Sequence, residues 1–304
     1  MKVLFLGYSQ LGYRAVELLP RLGCSVAAVV THRDDPAENR WYRTPAEAAG
    51  ELGLPLHYAD DLAAAPGGIA AFAERLAPDL VLSVFYRDLL PAPVLAAARL
   101  AALNLHPSLL PAYRGRAPIN WVLVRGESQT GVTLHHMIGR ADAGDIVGQR
   151  PIAIAPRETA LSLYRKVEEE GVRLLAEMLP RVAAGTASRW PQDGSRASSF
   201  GRRRPEDGRI DWTWPAARID CLVRAVAPPW PGAFADVEGR RAWIHRGHPA
   251  GPVAPEGPGA RPAPAPGTVR REAGRVLIAT GDDWFEVEAA AGLAGVPPLA
   301  DPFS

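Results

Sequence analysis

The first half of the chain alternates short apolar runs with stretches of helical spacing. Residues 3–7 are a compact apolar run closed by Gly7, after which Leu11, Val16, Leu18 and Leu19 fall at helical intervals. Residues 25–30 read as a second buried strand. A helix-like stretch over 45–52 then leads into Leu56-His57-Tyr58. Residues 69–76 are again helical and precede an apolar run over 80–85. A helix near 94–99 precedes the run over 101–106. Strands alternating with helices at this pitch predict an α/β fold with a doubly wound, Rossmann-like, mostly parallel sheet.

Beyond Gly131 the pattern changes. Residues 132–137 and 145–149 read as further strands, and an amphipathic helix over 160–183 closes this region. The stretch 201–208 is polar and basic, as a linker would be. Runs over 242–244, 267–269, 275–278 and 284–287 are short, strand-like and separated by turn residues. They predict a smaller C-terminal β-barrel (OB-like) domain. The expected division is therefore a catalytic domain over 1–200 and a β-rich domain over 205–304. Seven prolines between Pro249 and Gly267, both ends of the stretch included, mark a solvated loop.

Composition narrows the function classes. A chain of 304 residues, 47% apolar and 22% charged, suits one large soluble domain with a smaller companion. A formal charge of +1 gives no general attraction to nucleic acid or to an anionic membrane. Cys24 and Cys221 lie far apart without metal-ligand spacing, and are expected as reduced thiols. The N-terminus has neither a small-residue cleavage site nor an 18-residue apolar stretch, so the expected location is cytoplasmic, with no membrane partner. His135 and His136 are adjacent, so on a strand they point to opposite faces and cannot chelate one ion together. No metal is expected.

The chemistry concentrates in Asn104-Leu105-His106-Pro107-Ser108-Leu109-Leu110-Pro111, followed by Tyr113-Arg114-Gly115-Arg116-Ala117-Pro118. If residues 103–106 end a strand, Asn104 and His106 project from one face. The C-terminal edge of a parallel sheet is where open α/β folds place their ligands. There an amide can donate to a developing oxyanion while an imidazole moves a proton, the requirements of acyl transfer. An isolated pair of this kind reads more simply as a turn cap beside a surface histidine. The surrounding residues reverse that weighting.

Taken with residues 128–137 and the turn Ala141-Asp142-Ala143-Gly144-Asp145, this run resembles the 10-formyltetrahydrofolate-dependent formyltransferases. That family's signature is an asparagine and a histidine two apart, an SLLPxxxG loop and an aspartate in a DxGD-like turn. The resemblance implies that Asn104 stabilises the transition state and that His106 transfers the proton. It makes Asp142 the carboxylate that holds the imidazole and raises its pKa, with Asp145 a turn residue. It also implies 10-formyltetrahydrofolate as formyl donor, contacted by Asp88, Leu89, Leu90, Arg116 and the turn Ile138, Gly139, Arg140, Ala141 and Asp142. Leu89 and Leu90 read equally well as packing at a helix start.

Within the family, the resemblance is closest to the enzymes that formylate UDP-4-amino-4-deoxy-L-arabinose. It runs through Thr31-His32, Asp35-Pro36, Glu38, Phe85-Tyr86-Arg87, Asn120-Trp121, Phe200-Gly201-Arg202-Arg203 and Pro229-Trp230-Pro231-Gly232. This implies a small-molecule partner, the amine of a sugar nucleotide, and a role in lipid A modification. Gly7 and Gly12 alone do not make a dinucleotide-binding fingerprint, so a pathway dehydrogenase or decarboxylase is expected on a separate chain. The alternatives are another amino sugar nucleotide or methionyl initiator tRNA. An RNA-reading domain should be basic, yet residues 205–304 hold 10 arginines, no lysines and 13 acidic residues. Nucleic acid is therefore the weaker expectation. The one basic cluster, Arg202-Arg203-Arg204, reads as a solvated linker or as a phosphate contact. The intact Asn104, His106 and Asp142 argue against a non-catalytic binding module.

Overall fold

The apolar runs of the N-terminal half form strands β1 (Lys2–Gly7), β2 (Ser25–Thr31), β3 (Leu56–Tyr58), β4 (Leu80–Val84) and β5 (Ala101–His106). A short β6 (Arg114–Gly115) follows, then β7 (Gln129–His136) and β8 (Ile146–Ala153). The computed structural model describes residues 1–36, 38–252 and 263–300. Among these the chain forms two units, the first comprising Met1–Pro118, Gln129–Ala153 and Arg165–Gly201.

The first unit is built on a seven-stranded sheet in the order β3-β2-β1-β4-β5-β7-β8. The first five strands in that order pair in parallel, and β7 and β8 add antiparallel at one side. The central parallel strands are apolar on both faces because helices cover both. On one face Leu4, Leu6, Val30, Val81 and Ala102 pack against α3 (Ala59–Ala64), α4 (Gly68–Leu76) and α5 (Ala92–Ala96), beyond α1 (Ser9–Arg21) and α2 (Pro45–Glu51) in the chain. A further short helix, α6 (Pro118–Val124), precedes the long α7 (Ala160–Ala183). Gly171 of α7 lies so close to the sheet that a Cβ there would stand 3.1 Å from Leu11 of α1 and 3.2 Å from Leu105 of β5. Alternation along β5 therefore turns Leu105 towards α7 and sends Ala102, Asn104 and His106 to the opposite face. The chain runs outwards from β1 through β2 to β3 and returns at β4, so the strand order reverses between β1 and β4. That reversal is the ligand-binding position of open α/β sheets.

A last element of the first unit, β9 (Ser199–Phe200), pairs in parallel with β6. The second unit comprises Ile119–Ser128, Ile154–Tyr164 and Arg202–Ser304. Its strands are β10 (Ala233–Val237), β11 (Arg240–Pro252), β12 (Val269–Glu272), β13 (Arg275–Ala279) and β14 (Asp283–Ala291). They form the expected C-terminal β architecture as a five-stranded antiparallel sheet, order β10-β11-β14-β13-β12, with β10 and β12 at its edges. Ile244, Val276, Ile278, Phe285 and Val287 are buried in it. Helix α8 (Ala216–Val226) buries Ile219, Leu222, Val223 and Val226, and the Asn120 amide donates to the Ala225 carbonyl at its C-terminal end (2.7 Å).

The proline-rich stretch begins inside β11, which extends through Pro249 to Pro252. Residues 253–262 of the expected loop lie outside the described residues. Of the stretch expected as a linker, 201–204 have no regular secondary structure and Pro205–Gly208 form a 3-10 turn, with the Asp207 carboxylate accepting the Arg204 amide (2.6 Å). Among the described residues no helix is long and apolar enough to cross a membrane.

Candidate active site

Asn104 and His106 close β5 on the face opposite α7. The β5–β7 register places Asn104 directly across from His135, and the Asn104 Nδ2 lies 3.1 Å from the His135 Nε2. His135 Nδ1 donates to the His136 carbonyl (2.9 Å), which leaves Nε2 facing the asparagine amide as its acceptor. The connection from β7 to β8 folds back over this face. It turns so tightly that a Cβ at Gly144 would collide with the His136 carbonyl, and Asp142 adopts a left-handed conformation, φ 51°. The turn delivers the Asp142 Oδ1 to 3.5 Å from His106 Nδ1, 3.4 Å from His135 Nε2 and 3.4 Å from Asn104 Nδ2. The other oxygen, Oδ2, accepts the Gly115 amide (2.8 Å).

Two further contacts fix this arrangement. The His106 Nε2 lies 2.8 Å from the Tyr113 carbonyl, so it carries the proton and donates. Tyr113 is held in turn: its ring stacks on Phe200 (4.8 Å) and its amide donates to the Ser198 Oγ (2.9 Å). Gln192 ties the Asp142 turn from the other side. Its amide nitrogen donates to the carbonyls of Asp142 (2.9 Å) and Gly144 (2.7 Å), while its oxygen accepts from the buried Arg114 guanidinium (2.6 Å).

Burial dominates the titration of His106. It lowers the pKa from the ordinary histidine value, outweighing Asp142 and the Tyr113 carbonyl, which both act to raise it. The expected influence of Asp142 is present, but the net direction is the reverse of that expected. For Asp142, burial acts to raise the pKa, yet its interactions with His106 and His135 and the hydrogen bond from the Gly115 amide prevail. They hold its carboxyl well below the usual carboxylate range. At neutral pH the site therefore holds an ionised Asp142 beside a neutral His106.

Of the residues assigned to the folate, Asp88, Leu89, Arg116, Ile138, Gly139, Arg140 and Ala141 are exposed. Leu90 is half-buried and packs against the α3–α5 side of the core. Leu89 is different: it is 79% exposed, and Ile138 is 48% exposed. The Arg116 guanidinium donates to the Arg87 carbonyl.

A second group lies at the reversal of strand order. Arg87 donates through its amide to the His32 Nε2 (3.0 Å), pairs with Glu38 (2.7 Å) and stands over the Tyr8 ring (4.1 Å). The Tyr8 hydroxyl donates to Asp34 (2.9 Å), and the His32 ring packs at a tilt against that of Tyr86 (4.5 Å). Thr31-His32, Glu38 and Tyr86-Arg87, which the sequence presents as separate motifs, thus meet just beyond β1, β2 and β4. Sequence reasoning missed His135, Gln192 and the Tyr113 carbonyl. The paired histidines were a visible signal, but only the register of β7 against β5 turns one of them towards Asn104. Among the described residues no three His, Cys, Asp or Glu side chains are grouped to hold a metal.

A family model described as "Formyl transferase" matches residues 1–179, and one described as "Formyl transferase, C-terminal domain" matches residues 203–292. The chain belongs to the formyl transferase family. Its fold is shared with WlaRD, a sugar 3N-formyl transferase whose crystals contained dTDP and 5-N-formyl-THF. The identity is 15% over 94% of this chain and 97% of that one, with a TM-score of 0.69. It is shared also with the N-formyltransferase from Helicobacter canadensis in complex with folinic acid and dTDP-3-aminofucose (16% identity, 94% and 98% covered, TM-score 0.69). HypX from Aquifex aeolicus, in complex with tetrahydrofolic acid, matches at 23% identity over 95% of this chain and 44% of that one (TM-score 0.64).

Proposed function

We propose that this formyltransferase moves a formyl group from 10-formyltetrahydrofolate to the amine of a sugar nucleotide, with UDP-4-amino-4-deoxy-L-arabinose as the acceptor. The observation that carries this reading is the convergence of an amide, an imidazole and a carboxylate, with Asp142 within 3.5 Å of both Asn104 and His106. The catalytic region is taken as residues 1–200 and the β-rich region as 205–304. The similar folds described with a formylated folate and with dTDP or dTDP-3-aminofucose support the substrate classes.

The residues present fit a folate. Leu89 and Ile138 are apolar and exposed, as side chains that cover an apolar ring would be. Asp88, Leu90, Arg116, Gly139, Arg140 and Ala141 complete the assigned contacts. The backbone of 138–141 can pair with the polar edge of a pterin without adding charge.

In this reading the acceptor amine attacks the formyl carbon, and the Asn104 amide donates to the oxyanion that forms. The amide's 3.4 Å contact to Asp142 is the weaker of its two and the one an oxyanion replaces. His106 enters neutral, takes the proton released by the attacking nitrogen, and returns it to the folate nitrogen as the original carbon–nitrogen bond breaks. Ionised Asp142 stabilises the imidazolium between those two transfers. His106 must leave the Tyr113 carbonyl for its Nε2 to reach substrate, and must carry its own proton on Nδ1, towards Asp142 Oδ1 (3.5 Å), for Nε2 to accept, so movement of residues 111–117 and a change of tautomer belong to the cycle.

The acceptor assignment rests on the motifs shared with the arabinose-specific branch, including the formyltransferase half of the bifunctional polymyxin-resistance protein. Several of them meet at the strand-order reversal, beside the catalytic strand. A formylation step on a nucleotide-activated sugar implies a cytoplasmic enzyme acting in lipid A modification. The test is formyl transfer from 10-formyltetrahydrofolate to UDP-4-amino-4-deoxy-L-arabinose and to methionyl initiator tRNA, run in parallel. Turnover of the sugar nucleotide alone is expected. Turnover of the tRNA alone would overturn the acceptor and place the enzyme in translation initiation.

A further inference from the structure

His106 lies between two acceptors that compete for one proton. The Tyr113 carbonyl stands 2.8 Å from its Nε2, and the Asp142 Oδ1 stands 3.5 Å from its Nδ1. A neutral imidazole carries a single N–H, so it satisfies one acceptor and turns a bare nitrogen to the other. The two distances place the proton on Nε2, because 3.5 Å is too long for a bond between an N–H and a carboxylate. Once the Tyr113 carbonyl withdraws, the ionised Asp142 is the acceptor that remains, and the proton belongs on Nδ1. The position of one carbonyl therefore selects the tautomer.

That carbonyl is held by a short stretch far along the chain. Residues 198–200 close on residues 111–116 through four hydrogen bonds. The Ser198 amide donates to the Pro111 carbonyl (3.3 Å), and the Tyr113 amide to the Ser198 Oγ (2.9 Å). The Arg114 amide donates to the Ser198 carbonyl (2.9 Å), and the Arg116 amide to the Phe200 carbonyl (2.9 Å). The Tyr113 and Phe200 rings stack with their planes 11° apart. The two segments approach so closely that a Cβ at Gly115, whose φ is 94°, would collide with the Phe200 carbonyl. Tyr113 itself is left-handed, φ 60°, a conformation that a bulky residue keeps only where its surroundings impose it. The Phe200 ring and the Ser198 hydroxyl both act on that residue directly. The same segment brings the Gly115 amide to the Asp142 Oδ2 (2.8 Å), so it touches both members of the His106–Asp142 pair.

We propose that Ser198 and Phe200 are positioning residues that set the tautomer of His106. While they hold residues 111–116, the proton stays on Nε2. On release, Nε2 gives its proton to water as Nδ1 takes one from water, so the ring stays neutral and Nε2 is bared as a base. Neither residue touches the reacting atoms, and each acts through Tyr113. The inference rests on the formyl-transfer reading for its place in the cycle, whereas the tautomer is a property of the resting protein. Its consequence is order: the base is armed only when residues 111–116 are displaced, which ties proton transfer to a filled site.

Nitrogen NMR of the full chain carrying nitrogen-15 histidine reads the tautomer, at about pH 8, where an ordinary histidine is neutral. His106→Gln assigns the signal among the seven histidines. Wild type should show His106 protonated at Nε2. Phe200→Leu, which loses the stack, and Ser198→Ala, which loses the acceptor of the Tyr113 amide, should each move the signal towards the Nδ1 form. Phe200→Tyr keeps the ring and should match wild type. Diethyl pyrocarbonate, which attacks a bare and accessible imidazole nitrogen, should modify His106 about tenfold faster in the two loosened variants, the worth of one net hydrogen bond. Melting temperatures identify the folded variants, and Ser198→Ala, which removes a single hydroxyl, remains decisive should Phe200→Leu unfold. A wild-type His106 protonated at Nδ1 would overturn the proposal, as would folded variants whose tautomer is that of wild type. A protein that transferred no formyl group would overturn the functional reading and leave these signals to decide the tautomer.

Discussion

Asn104 and His135 face each other directly across β5 and β7, with the asparagine amide nitrogen 3.1 Å from the imidazole Nε2. Because His135 Nδ1 is committed to the His136 carbonyl, this contact fixes which way the Asn104 amide points. Removing it frees the amide to rotate without removing the oxyanion donor. His135→Ala is therefore expected to lower kcat about tenfold, the worth of one net hydrogen bond. Steady-state kinetics check this, and a loss as large as that of Asn104→Ala would mean that His135 itself handles protons.

The pH dependence follows from His106. The reading needs the imidazole neutral, and burial places its pKa below the ordinary value of 6.5. The acidic limb of kcat/KM is expected below pH 6.5, with activity rising as pH rises through it. Asp142 acts to raise that pKa, so Asp142→Asn should move the limb to still lower pH while reducing the rate. A limb that moved upwards in this variant would show that Asp142 does not act on His106 as a charge.

Gln192 positions the turn that carries Asp142 through two donated hydrogen bonds. Gln192→Glu keeps an acceptor for Arg114 but loses both donors. It should still fold, with a modestly lowered melting temperature, and lower kcat by roughly tenfold, through a less well-placed carboxylate. Wild-type kinetics in that variant would make Gln192 a packing residue only.

Glu168 of α7 is buried, with the Arg14 guanidinium 4.0 Å away as its ion-pair partner, and burial pushes its pKa from 4.5 up to about 7. Its folded state holds the proton that the unfolded chain releases. Stability from this group is therefore complete below about pH 4.5 and is lost as pH rises to about 7. Glu168→Gln should match wild type in stability near pH 4.5 and exceed it above pH 7 by roughly 3 kcal/mol. Denaturation midpoints at the two pH values check this, and equal stability at both would contradict it.

The parallel core was legible because strands buried on both faces read as continuous apolar runs. Residues 80–85 and 101–106 announced β4 and β5 almost to the residue. Helix α7 was equally plain, since an amphipathic pattern persists over its 24 residues. The second unit was harder. Helix α8 and strand β10 were missed, because both are short and Pro228, Pro229, Trp230 and Pro231 between them mask the change of spacing. Strand β11 was seen only at 242–244, because Gly247 and Pro249 interrupt its pattern although its backbone remains extended. Within the site, Asn104 and His106 were readable as neighbours in sequence on one strand. His135, Gln192 and the Tyr113 carbonyl were not, since each arrives by pairing or turn geometry from a distant part of the chain.

Formyl transfer, in the reading proposed above, turns on the oxyanion that the Asn104 amide stabilises. The direct measurement is the single-turnover rate of formyl transfer from 10-formyltetrahydrofolate to UDP-4-amino-4-deoxy-L-arabinose by wild type and Asn104→Ala, both saturated with donor and acceptor. The predicted result is a rate lower by about 10²–10³ in the variant, with the acceptor bound as tightly as before. An Asn104→Ala enzyme that transfers formyl at the wild-type rate would contradict the claim.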